Sequence, residues 1–415
     1  MSLDNPYFII ILIAVAVLFK LDIFANILNL SALKPDVPDA FKDVYDDDKY
    51  KKARDYTCET TRFGILEGSI SLAFFLIFWL LGGFGWLDGL VRSWNFGEIT
   101  TGLVAIGLLF VGSSLLSLPF EIYNTFIIEE KYGFNKTTPA TFLADHLKGL
   151  ALGLLIGAPV IALVLYFFTR SEMAWLYAWV AISSISLVMA YLAPRYLLPI
   201  FNKFTPLEDG ELKTAIHEMS ESCGFPLQEV SVMDGSKRSS KSNAFFTGFG
   251  KTKKIALFDT LVENHSVKEL VAVLAHEIGH FKKKHIVQQM VFGVLNTGAL
   301  FFLLSIFLKS DRLFAAFGVH EPSVAFGFIF FGILFKPINK VLSVIMAVWS
   351  RKNEYEADAY AAGVTGEPES LITALKKLSA DNLSNLTPHP FYVFLSYSHP
   401  PVIERIRALR ANAGA

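Results

Sequence analysis

Seven stretches of about twenty mostly apolar residues punctuate this chain, at positions 7–24, 63–87, 101–120, 150–169, 173–193, 291–308 and 324–349. A helix needs roughly 20 such residues to cross the hydrocarbon layer of a bilayer. A chain with seven of them cannot close into one water-soluble domain. The composition agrees, with 53% hydrophobic and 18% charged residues, where soluble domains run near 45–50% and about 25%. The first run has no basic residue before it and no small-residue cleavage site after it, so it reads as a span and not as a removable signal peptide. A net charge of −1 excludes a nucleic-acid binder working by bulk positive charge. Two cysteines, Cys58 and Cys223, cannot make a disulfide framework.

The polar segments between the runs alternate in Lys and Arg content. The N-terminal tail has none, 25–62 carries seven, and the segment with Arg92 one. Then come three (Lys131, Lys136, Lys148), one (Arg170), twelve in 202–284, and two (Lys309, Arg312), before a basic C-terminal tail. By the positive-inside rule the N-terminus lies outside, and the C-terminus and the 202–284 segment lie in the cytosol.

Four regions follow: a five-span membrane part over 1–198, a cytosolic part over 199–288, two further spans over 289–349, and a cytosolic helical part over 350–415. In the first cytosolic part, a helix over 210–222 precedes strand-like runs at 229–233, 243–249 and 255–259. Turns rich in Gly, Ser and Lys separate these, which predicts a small antiparallel sheet. A helix is expected from Ser266 onward. The last region is expected to be helical, with breaks at 387–390 and at 399–401.

His276-Glu277-Ile278-Gly279-His280 lies in that helix. Histidines at i and i+4 share a face and can reach one Zn²⁺ together. Glu277, about 100° around the helix, is free to take a proton from metal-bound water. Two surface histidines are the alternative. A catalytic zinc needs a third protein ligand. Glu354 and Asp358, again at i and i+4, offer one carboxylate for the metal and one to receive an N–H from a ligating His. Glu356 falls on another face and reads as solvated. Two runs separate His280 from Glu354, so both return to the same side of the membrane.

H-E-I-G-H followed by S-R-x-x-E-x-x-A-D (Ser350 to Asp358) resembles the signature of the integral-membrane gluzincins, which include the type I CAAX prenyl endopeptidases and the HtpX-like proteases. The stretches 129–138, 242–246, 257–261 and 397–406 resemble the CAAX enzymes, as does the span count. The resemblance implies a mainly α integral membrane protein with seven transmembrane helices around a chamber and a cytosolic zincin-like α+β metalloprotease domain. It implies one Zn²⁺ on His276, His280 and Glu354, Glu277 as base, Asp358 behind the ligands, and Asn243 on a sheet edge that pairs with substrate. His399 and Arg405 are expected in the cleft, stabilising the oxyanion or holding the substrate C-terminus. The substrates implied are peptides or proteins, lipidated or membrane-associated, with the bilayer as the other partner and no nucleic acid. An HtpX-like quality-control protease and a non-catalytic scaffold are the alternatives; intact Glu277 argues against the second. The C-terminal residues 410–415 lack a dibasic signal, which points to a bacterial inner membrane.

Other residues carry weaker expectations. Asn243 opens a strand-like run ended by Gly248 and Gly250, patterned as a substrate-pairing edge or an ordinary strand. His399, before Pro400-Pro401, also fits a simple turn cap. Lys282, Lys283 and Lys284 suit anionic headgroups or ordinary positive-inside placement. Lys336, Asn339 and Lys340 make a polar strip inside the last run, facing a chamber or snorkelling. His146, His217, His265, His285, His320 and His389 are given no role.

Overall fold

The computed structural model describes residues 4–247 and 253–413. Helices α1 (Pro6–Ser31), α2 (Asp47–Leu80), α3 (Glu98–Glu129), α4 (Pro139–Arg170) and α5 (Ala174–Phe201) coincide with the first five runs. Local chemistry sets their starts. Asn5 caps α1 ahead of Pro6, Asp46 caps α2, and Thr138 caps α4 ahead of Pro139. The second run is shorter than its hydropathy predicts. Gly82 turns the chain at φ +81°, and Gly83–Ser93 forms a separate helix.

Strand β1 (Phe204–Pro206) and helix α6 (Glu211–Ser222) lead to β2 (Leu227–Met233), β3 (Ala244–Thr247) and β4 (Lys253–Phe258). The expectation of an antiparallel sheet is corrected here. The sheet is mixed, in the order β1-β2-β4-β3, with β2 parallel to β4 and the other two pairs antiparallel. Turn signals mark where strands end but not which neighbour each takes. Ile255, Ala256 and Leu257 are all buried, so β4 is covered on both faces and takes a central place. That leaves β3 at an edge. The glycines at 248 and 250, and Phe249 at the end of the expected strand, lie outside the described residues.

Helix α7 (Val267–Lys282) begins with a reciprocal cap: Ser266 Oγ accepts from Glu269 N, and Glu269 Oε2 accepts from Ser266 N. Its apolar face carries Leu270, Leu274 and Ile278 into a core with Ile216 of α6 and Ile255 and Leu257 of β4. The remaining spans are α8 (His285–Phe307) and α9 (Val324–Thr365). After Thr365 come α10 (Pro368–Asp381), α11 (Pro390–Ser396) and α12 (Val402–Ala413), with breaks where the sequence places them.

Helix α9 does not stop at the end of its apolar run. It continues unbroken for 42 residues, or about 63 Å. Near its start Phe330 stacks on Phe317 at 4.0 Å, in an aromatic cluster with Phe8, Trp79 and Phe84. Near its other end it carries Glu354, roughly 36 Å further along the helix. One helix, which runs on through Pro337, thus joins a packed aromatic knot to the candidate site. In the polar strip, Lys340 Nζ lies 2.9 Å from Asp22 Oδ1 of α1, an ion pair between the first and last spans.

Candidate metal centre and active site

The site forms where α7 and α9 pack face to face. Gly279 lies against Ala357, so the two backbones approach closely and bring His276 and His280 over Glu354. His276 Nε2 lies 3.1 Å from His280 Nε2 and 3.5 Å from Glu354 Oε2, and His280 Nε2 lies 3.2 Å from Glu354 Oε1. Donors each about 2.0–2.1 Å from a tetrahedral ion stand about 3.3 Å apart. The triangle matches that spacing. Glu354 Oε2 is buried and accepts no hydrogen bond among the described residues. A site of two imidazoles and one buried carboxylate suits a divalent cation.

Carboxylates and a guanidinium surround these donors. His276 Nδ1 lies 2.9 Å from Asp358 Oδ1, as the i, i+4 spacing of Glu354 and Asp358 predicts. Arg405 of α12 grips Asp358 with two bonds, from Nε to Oδ2 at 2.8 Å and from Nη2 to Oδ1 at 2.5 Å. Its Nη1 lies 3.4 Å from Glu354 Oε2. Burial alone would raise the Asp358 carboxyl, but Arg405 holds it below its ordinary value. Burial likewise works against ionised Glu354, yet His276 and His280 hold it far below the usual carboxylate range. Desolvation lowers the pKa of His276, while Asp358 and Glu354 outweigh this and push it up to about 9.

Glu277, His399 and Asn243 line the same cavity, of ≈ 220 Å³, as the three donors. Burial raises the Glu277 carboxyl, against the opposing pull of His276 and His280. The His399 ring is 66% exposed, with Nε2 3.4 Å from Glu354 Oε1 and Nδ1 3.0 Å from Ser398 Oγ. Asn243 stands immediately before β3. Its carbonyl accepts from Phe258 N at 3.1 Å and its Oδ1 from Ala244 N at 2.8 Å. Arg405 also borders the cavity, but its guanidinium is committed to Asp358 and Glu354. Its guanidinium thus stands against the carboxylates of the donor set.

Sequence reasoning overlooked three groups that support the site. His285 is 1% exposed and not a surface residue: its Nδ1 lies 3.0 Å from His280 Nδ1, and its Nε2 lies 3.2 Å from Glu356 Oε2. Glu356 is accordingly not merely solvated. Arg351 donates to the carbonyls of Val393, at 3.0 Å, and Tyr397, which holds the turn that precedes His399. Asn382 bonds both backbone groups of Ser242, fixing the approach to β3. Arg351 sits inside the quoted S-R-x-x-E pattern; nothing in sequence spacing marks His285 or Asn382.

Residues 26–203 match the family described as "CAAX prenyl protease N-terminal, five membrane helices", and residues 206–413 match peptidase family M48. CAAX prenyl protease 1 of Saccharomyces cerevisiae is 37% identical over 90% of this chain and 88% of its own length. The chain belongs to the CAAX prenyl protease 1 family of M48 peptidases. It is a membrane metalloendopeptidase. Another CAAX prenyl protease 1 homolog, from Homo sapiens, is 36% identical over 90% of this chain and 88% of its own length. The crystal structure of S. mikatae Ste24p superposes with a TM-score of 0.92 at 34% identity, covering 97% of this chain and 99% of that one. The match to the membrane part takes in the end of α1, the Gly83–Ser93 helix and α2–α5, and the peptidase part carries every residue of the cavity just described.

Proposed function

We propose that this chain is a zinc endopeptidase that removes the C-terminal tripeptide of prenylated CAAX-type proteins, working at the cytosolic face of its membrane. The observation that carries the metal is the triangle of His276, His280 and Glu354 at 3.1, 3.2 and 3.5 Å, with Glu277 facing the same cavity. Zinc in this site would lower the pKa of a water in its open position to about 7 and polarise the substrate carbonyl.

The protein groups then have distinct tasks. Glu277 takes the proton from the attacking water and hands it to the leaving amine. Its burial, which favours the neutral acid, suits a group that must take that proton up. Asp358 keeps the Nδ1 proton on His276, and Arg405 keeps Asp358 ionised and oriented. His399 is the exposed donor beside Glu354 and is assigned to the developing oxyanion. A donor in this role contributes about 2.7–4 kcal/mol to the barrier. The free edge of β3, with Asn243 at its start, takes the substrate backbone as an added strand.

Entry from the bilayer is supported by the spans themselves. Their most apolar windows are only 6–17% buried, which leaves broad apolar faces open to lipid or to space between the helices. The Asp22–Lys340 pair suits a polar chamber wall. The alternation of Lys and Arg supports an N-terminus outside and a cytosolic active site.

The test is cleavage of a farnesylated CAAX peptide by the purified protein, beside its unprenylated twin, a chelator control and Glu277→Gln. Cleavage of the farnesylated peptide alone, abolished by chelator and by Glu277→Gln, is the expected result. Equal cleavage of both peptides would remove the lipid from the substrate definition, and persistence in Glu277→Gln would remove the base.

A further inference from the structure

A ligating imidazole must offer a bare Nε2 to the metal, so its proton has to be kept on Nδ1. For His276 the carboxylate of Asp358 does this directly, 2.9 Å from Nδ1. For His280 the neighbour of Nδ1 is another imidazole, His285, at 3.0 Å. One proton is shared between those two nitrogens, and the neutral pair leaves open which ring supplies it.

Glu356 removes that ambiguity. Its Oε2 lies 3.2 Å from His285 Nε2, and a carboxylate only accepts. The proton of neutral His285 therefore sits on Nε2, which leaves Nδ1 as an acceptor. His280 must then donate from Nδ1, and its Nε2 is left bare toward His276 Nε2 and Glu354. We propose that His285 and Glu356 are positioning residues that lock His280 in its metal-binding tautomer. Asp358 and Glu356, two residues apart on α9, thus set the protons of both histidines, one directly and one through an interposed ring.

A second observation points the same way. His285 follows His280 by five residues, a spacing that does not share a face on a straight helix. The rings meet because Lys284 adopts the left-handed conformation at φ 60°, which separates α7 from α8 and swings His285 back toward the site. Such a conformation is unfavourable for a residue other than glycine and persists where surrounding structure holds it. The His285 ring is buried to 1% exposure, so water does not substitute for its contacts.

The inference rests on the zinc reading above, and its test separates the two. Zinc affinity of the purified full-length protein is measured by competition with a chromophoric chelator. The wild type is compared with His285→Phe, His285→Asn, Glu356→Ala and the His285→Phe/Glu356→Ala double variant. Outer partners of ligating histidines typically contribute 10–100-fold in metal affinity, so a loss in that range is expected for His285→Phe. His285→Asn, whose side-chain oxygen accepts where Nδ1 did, should recover most of it. Glu356→Ala should weaken zinc binding alone but add nothing in the His285→Phe background, because it acts through His285. Should His285→Phe fail to fold, the Glu356→Ala affinity still decides, since that side chain is 39% exposed at the helix surface. Wild-type affinity in both single variants, or additive losses in the double variant, would overturn the tautomer lock. A wild type that takes up no zinc would overturn the metal reading and this inference with it.

Discussion

Gly279 of α7 packs directly against the backbone of Ala357 of α9, between the two helices that carry the metal-site donors. A Cβ added to Gly279 would lie 3.0 Å from Ala357 Cα and 3.1 Å from its carbonyl oxygen. Both are backbone atoms and cannot step aside. Gly279→Ala gains about 1 kcal/mol in helix propensity, but overpacking of this kind costs about 1–3 kcal/mol. The expected outcome is a lower Tm together with weakened metal retention. Gly363→Ala, on the same α9 with nothing within 4 Å, is the control and should leave Tm unchanged or raise it. Thermal unfolding with metal analysis checks both.

Arg351 governs the placement of His399 without touching the metal donors. Arg351→Met frees the carbonyls of Val393 and Tyr397 and releases the turn before His399. A fall in kcat of up to ~10²–10³-fold, the range for losing one oxyanion donor, is expected with zinc content unchanged. Parallel assays of kcat and bound zinc distinguish this from damage to the ligands.

The Asp358–Arg405 pair is buried on both sides, at 2% and 7% exposure. Removing one partner of such a pair leaves an uncompensated charge and costs about 3–5 kcal/mol. Arg405→Met is expected to lose stability in that range. Arg405→Lys should recover part of it, because it restores the charge but not the two-pronged grip on the carboxylate. Denaturant or thermal unfolding of the three proteins gives the comparison.

Metal removal should lower Tm as well as activity. A ligand held only by the folded state stabilises it by RT ln(1 + [L]/Kd), about 4.1 kcal/mol at a thousandfold excess over Kd. Chelation is expected to lower Tm and zinc to restore it. Glu354→Ala, with the donor triangle broken, should melt at the same temperature with and without chelator.

His265, at the turn into α7, predicts an acid-sensitive cytosolic part. Burial lowers its pKa below 6.5, helped by Lys377 and opposed by Glu269 and Asp381. Below pH 6.5 the unfolded chain therefore binds more protons than the folded one, and stability rises with pH. Stability should fall as pH drops from about 6.5 toward the lowered folded value, levelling off beneath it. His265→Leu should flatten this slope in a Tm-against-pH series.

The sequence made the spans and each helix's share of the donor set legible for a simple reason: both follow helical periodicity. Runs of twenty apolar residues, and pairs such as His276–His280 and Glu354–Asp358, are contacts within one helix, where spacing dictates direction. What spacing does not encode is contact between elements. The parallel pairing of β2 with β4 depends on which strand is covered on both faces. The meeting of His280 with His285 depends on one left-handed residue, Lys284, and the commitment of Arg405 to Asp358 depends on how α12 packs against α9.

The uninterrupted course of α9 means that this enzyme has no severable head. A soluble fragment trimmed at the lipid surface would part Glu354 from the aromatic anchor near the other end of its helix. Whatever tilts or shifts that rod in the lipid, including bilayer thickness or detergent, bears directly on the third donor.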